Sequence, residues 1–375
     1  MLLSARDCNV MKYLKYTKRL RHALFVSVGV CVVVGVTCLL VWKTNVFAAV
    51  VRYPAPAQTG VALFAVAEPP KLPVLDTALY DRKMRELANA PVSTSTATST
   101  KKQRWPVSAP YPKVGALLPF NRVVAYYGNF YSKQMGALGQ YPPAEMLTRL
   151  RKEVAAWEAA DPTTPVVPAI NYIAITAQES AGRDGKYRLR MPDSEIDKAL
   201  ALAKEVHGIV ILDVQIGLST LQTELPLLEK YFMLPNVHLG LDPEFAMHNG
   251  VRPGRVIGSM DAKDINYAAE YLATLVRAHD LPPKIIIVHR FTGPMVTRYK
   301  EIRPLPEAQI VIDMDGWGSP AKKKGTYSHV VYQEPVQFAG FKLFYKNDLR
   351  APSTRMLTPQ EILNLEPRPS FIQYQ

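Results

Sequence analysis

The feature that most constrains this chain is a regular alternation that begins after Phe120. Eight apolar runs of strand character fall at Val123–Tyr127, Val166–Ile175, Gly208–Ile216, Val237–Leu241, Val256–Met260, Lys284–Val288, Gln309–Met314 and Phe341–Tyr345. Amphipathic helical stretches lie between most of them, at Pro143–Ala159, Ser194–Val206, Thr220–Phe232, Ala262–Ala278 and Met295–Arg303. A last helix opens at Thr358-Pro-Gln-Glu361, a capping box with Pro at the first helical position, and Pro192-Asp193-Ser194 makes a comparable start. Strands that alternate with helices pair in parallel, because each crossover helix returns the chain to the same end of the sheet. Eight such units over about 255 residues fit a (β/α)8 TIM-like barrel, with a doubly wound open sheet as the competing arrangement. Two places are irregular: the unit around Pro243–Gly254 is short, and no clear helix falls within Ser328–Phe338. No Gly-rich phosphate loop follows the first run, so no nucleotide cofactor is expected.

The rest of the chain is organised differently. Ala23 to Trp42 is uncharged and rich in Val and Leu, long enough for a helix to span about 30 Å of hydrocarbon. Arg6, Lys12, Lys15, Lys18, Arg19 and Arg21 precede it, which predicts a cytoplasmic N-terminus and an extracytoplasmic remainder. A cleaved signal peptide ending near Ala48 is the rival, but this apolar run exceeds the usual 7–15 residues. From Val50 to Pro119 come ten prolines and the Ser93–Thr100 tract, the composition of an extended, disordered tether with one faint helical period at Thr77–Ala90. The expected organisation is therefore a basic cytoplasmic segment at 1–22, a transmembrane anchor at 23–42, a tether at 43–119 and the barrel at 120–375.

Charge then becomes a statement about topology. The formal net charge is +13, but residues 1–43 hold seven basic residues against one acidic, and residues 44–112 hold eight against four. The remaining 263 residues are nearly balanced, at 30 against 27, which argues against a nucleic-acid partner. The cysteines, Cys8, Cys31 and Cys38, all lie in or before the anchor, so the exported part has neither disulfides nor thiol chemistry. Oligomeric state is not legible.

A barrel of this type builds its active site at the C-terminal ends of the strands. Those ends carry Tyr126, Tyr127 and Asn129; Asn171; Asp213 and Gln215; Asp242 and Glu244; Asp261; His289; Asp313, Asp315 and Trp317; and Lys342 and Tyr345. Paired carboxylates are the minimal equipment for glycoside hydrolysis, and aromatic rings stack on sugar faces. Glu244 is the candidate acid, with Asp242 or Asp213 as nucleophile or electrostatic partner; the other residues are candidate substrate contacts. Competing readings remain at each position. Asp242 and Asp261 also read as helix or turn caps, His289 as a hydrogen-bonded core histidine, and Tyr126 and Tyr127 as packing residues. Lys342 requires Asp313 or Asp315 as partner, or else is a Schiff-base lysine. Asp213, Asp242, Glu244 and His289 lack the tight spacing of a metal site, so no metal is assigned. Lys322-Lys323-Lys324 reads as a solvated loop.

From Val123 to Gln375 the chain resembles a family of exported bacterial proteins, often lipoproteins or cell-wall-attached, with a glycosidase-like barrel. The stretches that carry the resemblance are Tyr127–Gly139, Leu212–Gly217, Leu241–Phe245, Ile257–Asp261, Val288–Phe291, Asp315–Gly318, Gly340–Tyr345 and Ser370–Gln375. Leu218 and Arg290 depart from the family pattern, which has Arg and Gln there. The resemblance implies a barrel and the strand-end residues above. The expectation is a membrane-anchored, outward-facing glycoside-hydrolase-like barrel on an envelope or surface glycan. The alternative is a catalytically silent barrel that binds such a polysaccharide.

Overall fold

The structure, a computed structural model, describes residues 74–89 and 104–375. The expected anchor at 23–42 and the segment before it lie outside these residues. Among the described residues no helix is long and apolar enough to cross a membrane.

Eight parallel strands close on themselves: β1 (Arg122–Gly128), β2 (Val166–Ala177), β3 (Ile209–Val214), β4 (Val237–Leu241), β5 (Lys284–Arg290), β6 (Ala308–Met314), β7 (Phe338–Leu343) and β8 (Phe371–Tyr374). Each pairs with the next, and β8 pairs with β1 through Val123 opposite Phe371 and Tyr126 opposite Tyr374. The barrel expectation holds, but one of its eight predicted strands is wrong. Val256–Met260 is a surface loop in which Val256 and Ile257 are exposed. Only Met260–Asp261 is extended, in a separate two-stranded pairing with Val296–Thr297. The apolar pattern misleads because Gly258 needs close backbone contact, not strand pairing: its N–H donates to the Glu244 carbonyl at 2.7 Å, and a Cβ there would meet three carbonyl oxygens. The eighth strand is instead the four-residue β8, too short to show a period.

Helices α1 (Thr77–Ala88), α2 (Pro143–Ala160), α3 (Asp193–Glu205), α4 (Ala262–Ala278), α5 (Pro320–Tyr327) and α6 (Pro359–Leu363) surround the strands. Thr358 and Glu361 make the expected capping box at α6. The predicted helix at Thr220–Phe232 breaks into short turns around Pro226, which cannot donate a backbone hydrogen bond. The one at Met295–Arg303 is absent; Gly293, Pro294 and the β-branched Val296-Thr297 favour 3-10 turns around a short extended segment. The seventh helix, sought in Ser328–Phe338, begins earlier as α5 and ends in a π-turn at Ser328–Tyr332.

The tether expectation requires correction over residues 74–89 and 104–119, which belong to the same compact unit as the barrel. Asp76 caps α1 by accepting from Leu79 N–H at 2.8 Å. The apolar face of α1, Tyr80 and Met84, covers the bottom of the barrel against Leu118, Val123, Ala125, Ile285 and Phe371. Gln309 holds Leu118 in that plug: its amide donates to the Leu118 carbonyl at 2.6 Å and accepts from the Leu118 N–H at 3.2 Å. Proline-rich composition hides this because few, widely spaced apolar residues suffice to close a barrel end.

Candidate active site

Side chains alternate across a strand, so each barrel strand sends every second residue inward. The lower interior is apolar: Val123 and Ala125, Ala169, Ile209 and Ile211, Ile285 and Ile287, Val311, Phe338 and Phe371. The next inward positions toward the C-terminal ends are polar. They are Tyr127, Asn171, Asp213, His289, Asp313, Lys342 and Gln373, all buried. Two strands contribute glycine to this layer. A Cβ on Gly240 would sit 2.3 Å from Asp213 Oδ2, and one on Gly340 would sit 2.6 Å from Asp313 Oδ1. Glycine thus leaves the volume the two carboxylates occupy. Gly240→Ala is expected to destabilise the fold by about 1–3 kcal/mol through overpacking, measured by denaturant unfolding; an unchanged midpoint would refute that role.

His289 is the hub of the layer. Its Nε2 lies 2.8 Å from Asp213 Oδ2, and its Nδ1 lies 3.3 Å from Asp313 Oδ2 and 3.5 Å from Asp315 Oδ2. Burial works against a charge on the ring, but the surrounding carboxylates outweigh it and hold the imidazole pKa well above its ordinary value. The three carboxylates around it thus favour the imidazolium form of His289. Asn171 donates to Asp213 Oδ2 at 3.2 Å and accepts from Gln373 at 2.8 Å, which fixes that aspartate from the other side. Burial raises the pKa of Asp313.

Above this layer opens a cavity of about 630 Å³. Tyr127, Gln215, Asp242, Glu244, Asp315, Trp317 and Lys342 line it, with Phe245, Phe291, Phe344 and Thr176 supplying apolar and hydroxyl surface. Lys342 reaches Asp315 Oδ1 at 2.9 Å and lies 3.9 Å from the Tyr127 ring centroid. Gln215 donates to Asp242 Oδ2 at 3.0 Å, and Asp242 accepts the Glu244 N–H at 3.2 Å, so the cap and the cavity wall are one residue. Burial lifts the Asp242 carboxyl up to about 7, opposed by His289 and helped by Asp213 and Asp315. Burial and the Asp315 charge likewise raise Glu244, against Lys342 and His289.

These raised values fix a pH dependence. The native chain holds a proton on Asp242 that the unfolded chain releases between about pH 4 and 7, so stability falls as pH rises through that window. His289 acts with the same sign: its contribution is whole below about pH 6.5 and is lost as pH rises through its higher folded value. Carboxylates with lowered values, such as Glu361 at about 2, act only below that range. The thermal midpoint is expected to drop from pH 5 to pH 8. Asp242→Asn should flatten the part below pH 7, and an unaltered slope would contradict the Asp242 assignment.

The structure brings together Tyr127, Asn171, Gln215, Asp213, Asp242, Glu244, His289, Asp313, Asp315, Trp317 and Lys342, in the cavity wall or directly beneath it. Asp213 is in the layer below and does not line the cavity. Four sequence-assigned residues are elsewhere. Tyr126 has outward parity, and its hydroxyl meets that of Tyr345 at 2.9 Å between barrel and helices, where Tyr345 donates to Glu153 at 2.7 Å. Asn129 is buried in the loop after β1, donating to Ile173 O at 3.0 Å and accepting from Tyr131 N–H at 2.9 Å. Asp261 caps α4 in a capping box and binds Arg298. The lysine run is not a solvated loop either. It lies in α5, and Lys323 is buried, donating to Gly316 O at 3.0 Å, Lys342 O at 2.7 Å and Asp348. Arg290 points outward and holds the Gly293 carbonyl at 2.7 Å as well as Glu334. Phe245, Phe291, Phe344 and Thr176 line the cavity but were not singled out by sequence. Inward parity flags Phe344, two residues beyond Lys342, and Phe291, two beyond His289.

Fold and site together define a (β/α)8 barrel with a carboxylate-lined mouth at its strand C-terminal ends. No family model and no curated protein matches the chain. Among solved structures it is similar to a GH5-4 broad specificity endoglucanase from an uncultured bovine rumen ciliate, at 8% identity and a TM-score of 0.31, over 55% of this chain and 72% of that one. A GH5-4 broad specificity endoglucanase from an uncultured bacterium is similar at 6% identity and a TM-score of 0.30, over 59% of this chain and 76% of that one. Likenesses this distant carry no functional argument, and the barrel rests on its own strand order.

Proposed function

We propose that the barrel hydrolyses a glycosidic bond, with Glu244 as general acid and Asp315 as its carboxylate partner. The observation that carries this reading is a pair of cavity carboxyls in opposite surroundings. Glu244 is half-buried and pushed toward its protonated form, while Asp315 sits between two cations, Lys342 at 2.9 Å and His289 at 3.5 Å. Divergent environments are what separate an acid from a nucleophile or base in this chemistry. Glu244 protonates the departing oxygen; Asp315 attacks the anomeric carbon or activates water, and the anomer released first distinguishes the two. Asp242 holds Glu244 in place through its backbone, and Asp213 acts through His289. Lys342 is an ion-pair partner in this scheme and not a Schiff-base former. The uncharged run at 23–42 and the basic residues before it support an anchor that presents the barrel outside the membrane, toward an envelope or surface glycan.

The test is reducing-end release from peptidoglycan and envelope polysaccharides by the full chain. Release that disappears in Glu244→Gln supports the reading, and release that survives it refutes the assignment. One observation favours a silent binding barrel instead: Asp213, Asp313 and His289 engage one another in a sealed layer beneath the cavity and do not reach a ligand. That reading expects glycan binding without release.

A further inference from the structure

The mouth is not uniformly acidic. Its floor carries Asp242, Glu244 and Asp315, but its rim carries Trp317, 42% exposed, with two cations against its ring. Lys322 Nζ lies 4.7 Å from the ring centroid and the Arg350 guanidinium 5.2 Å from it. Among the described residues neither cation has a carboxylate within 4.0 Å, and Lys322 itself lines the cavity. The neighbouring Lys342 and Lys323 are both neutralised, by Asp315 and Asp348. The platform is also held rigidly. Gly316 O accepts from buried Lys323 at 3.0 Å, and Gly318 N–H donates to buried Asp348 at 3.0 Å, so the chain is pinned on both sides of Trp317.

We propose that this rim is a subsite for an anionic substituent, a carboxylate or sulfate, on the glycan. The inference rests on the glycan reading of the cavity and adds its substrate class and orientation. The cations of the floor are already paired, whereas the rim cations are not, so the charged sugar lies on Trp317 and its neighbour lies over Glu244 and Asp315. Preorganisation of the loop lowers the ordering cost of that contact.

The test compares binding of the full chain to polygalacturonate, hyaluronan and chondroitin sulfate with binding to their carboxyl-reduced or desulfated counterparts, by titration calorimetry. At least one acidic polymer is expected to bind about fivefold tighter than its neutral counterpart. Lys322→Gln with Arg350→Gln should remove about that factor, from two exposed charge contacts. Lys152→Gln with Lys204→Gln, on helices outside the barrel, should leave it intact. The carboxylate and sulfate arms identify the substituent. Equal binding of every acidic and neutral pair overturns the proposal, as does equal sensitivity to the two double variants. Acid-selective binding without bond cleavage would refute the hydrolase reading while leaving this subsite standing. Cleavage of neutral glycans with no acid preference would do the reverse.

Discussion

Glu244→Gln is expected to lower glycan hydrolysis by about 10²–10⁴-fold while the fold stays intact, the range a positioned general acid contributes. The substitution keeps the shape of the side chain and removes the proton it donates. Its signature is a dependence on the leaving group. An aryl glycoside that departs as a stabilised phenolate needs little protonation, so it should lose far less activity than a natural glycan. Asp315→Asn, which removes the attacking or base carboxylate, should impair both substrates alike. The pH profile gives a second readout. The proposed role needs Glu244 protonated, and burial together with Asp315 raises its pKa, so the alkaline limb of activity should follow that raised value. In Glu244→Gln the alkaline limb should vanish from the residual aryl-glycoside activity. Equal losses on both substrates for Glu244→Gln would remove Glu244 from the acid role.

Several of the residues in that argument were legible before any coordinates, and the reason is parity. Asp213 with Gln215, and Asp313 with Asp315, share a face by spacing alone, and both pairs point inward. The same rule, applied to Tyr126 and Tyr127, admits only one of them, yet a lone strand does not say which face is the interior. Pairing does, since Tyr127 stands opposite Asn171 in the closed sheet. What sequence does not supply is height along the barrel axis. Asp213 and Asp242 are both strand-end aspartates, but Asp213 belongs to the sealed layer and Asp242 to the open one. In the proposed scheme the role of nucleophile or base therefore passes from the lower residue to Asp315, whose neighbours are set by strands β5 and β7. Fold errors have a similar origin. Val256–Met260 has the apolar content of a strand and none of its pairing, and β8 has the pairing without the length. Closure of the barrel is a long-range property: β8 is specified by the vacancy between β1 and β7 as much as by Phe371 and Ile372.

His289→Leu should destabilise the chain by about 3–5 kcal/mol near pH 7.5, the cost of leaving buried carboxylates without their cation. The expected loss is larger than for a neutral core histidine because three carboxylates converge on the ring: Asp213 at 2.8 Å, Asp313 at 3.3 Å and Asp315 at 3.5 Å. Lys342 still pairs with Asp315, so the uncompensated charge falls on Asp213 and Asp313, both fully buried. Leucine fills comparable volume, which keeps a cavity term small and isolates the electrostatic one. Acidification offers these carboxylates another escape. The Asp313 pKa is already raised by burial while His289 opposes the rise, and removing the imidazolium removes that opposition. The variant should therefore recover part of its deficit at pH 5, so that the gap from the parent chain narrows as pH falls. Denaturant unfolding at the two pH values measures this directly. Adding Asp213→Asn to His289→Leu should restore further stability at pH 7.5, because one of the stranded charges is gone, and the double variant should lose less than the two single losses combined. A deficit that is the same at both pH values and simply adds with Asp213→Asn would mean that the ring matters for its packing alone. The carboxylate layer would then need another source of neutralisation.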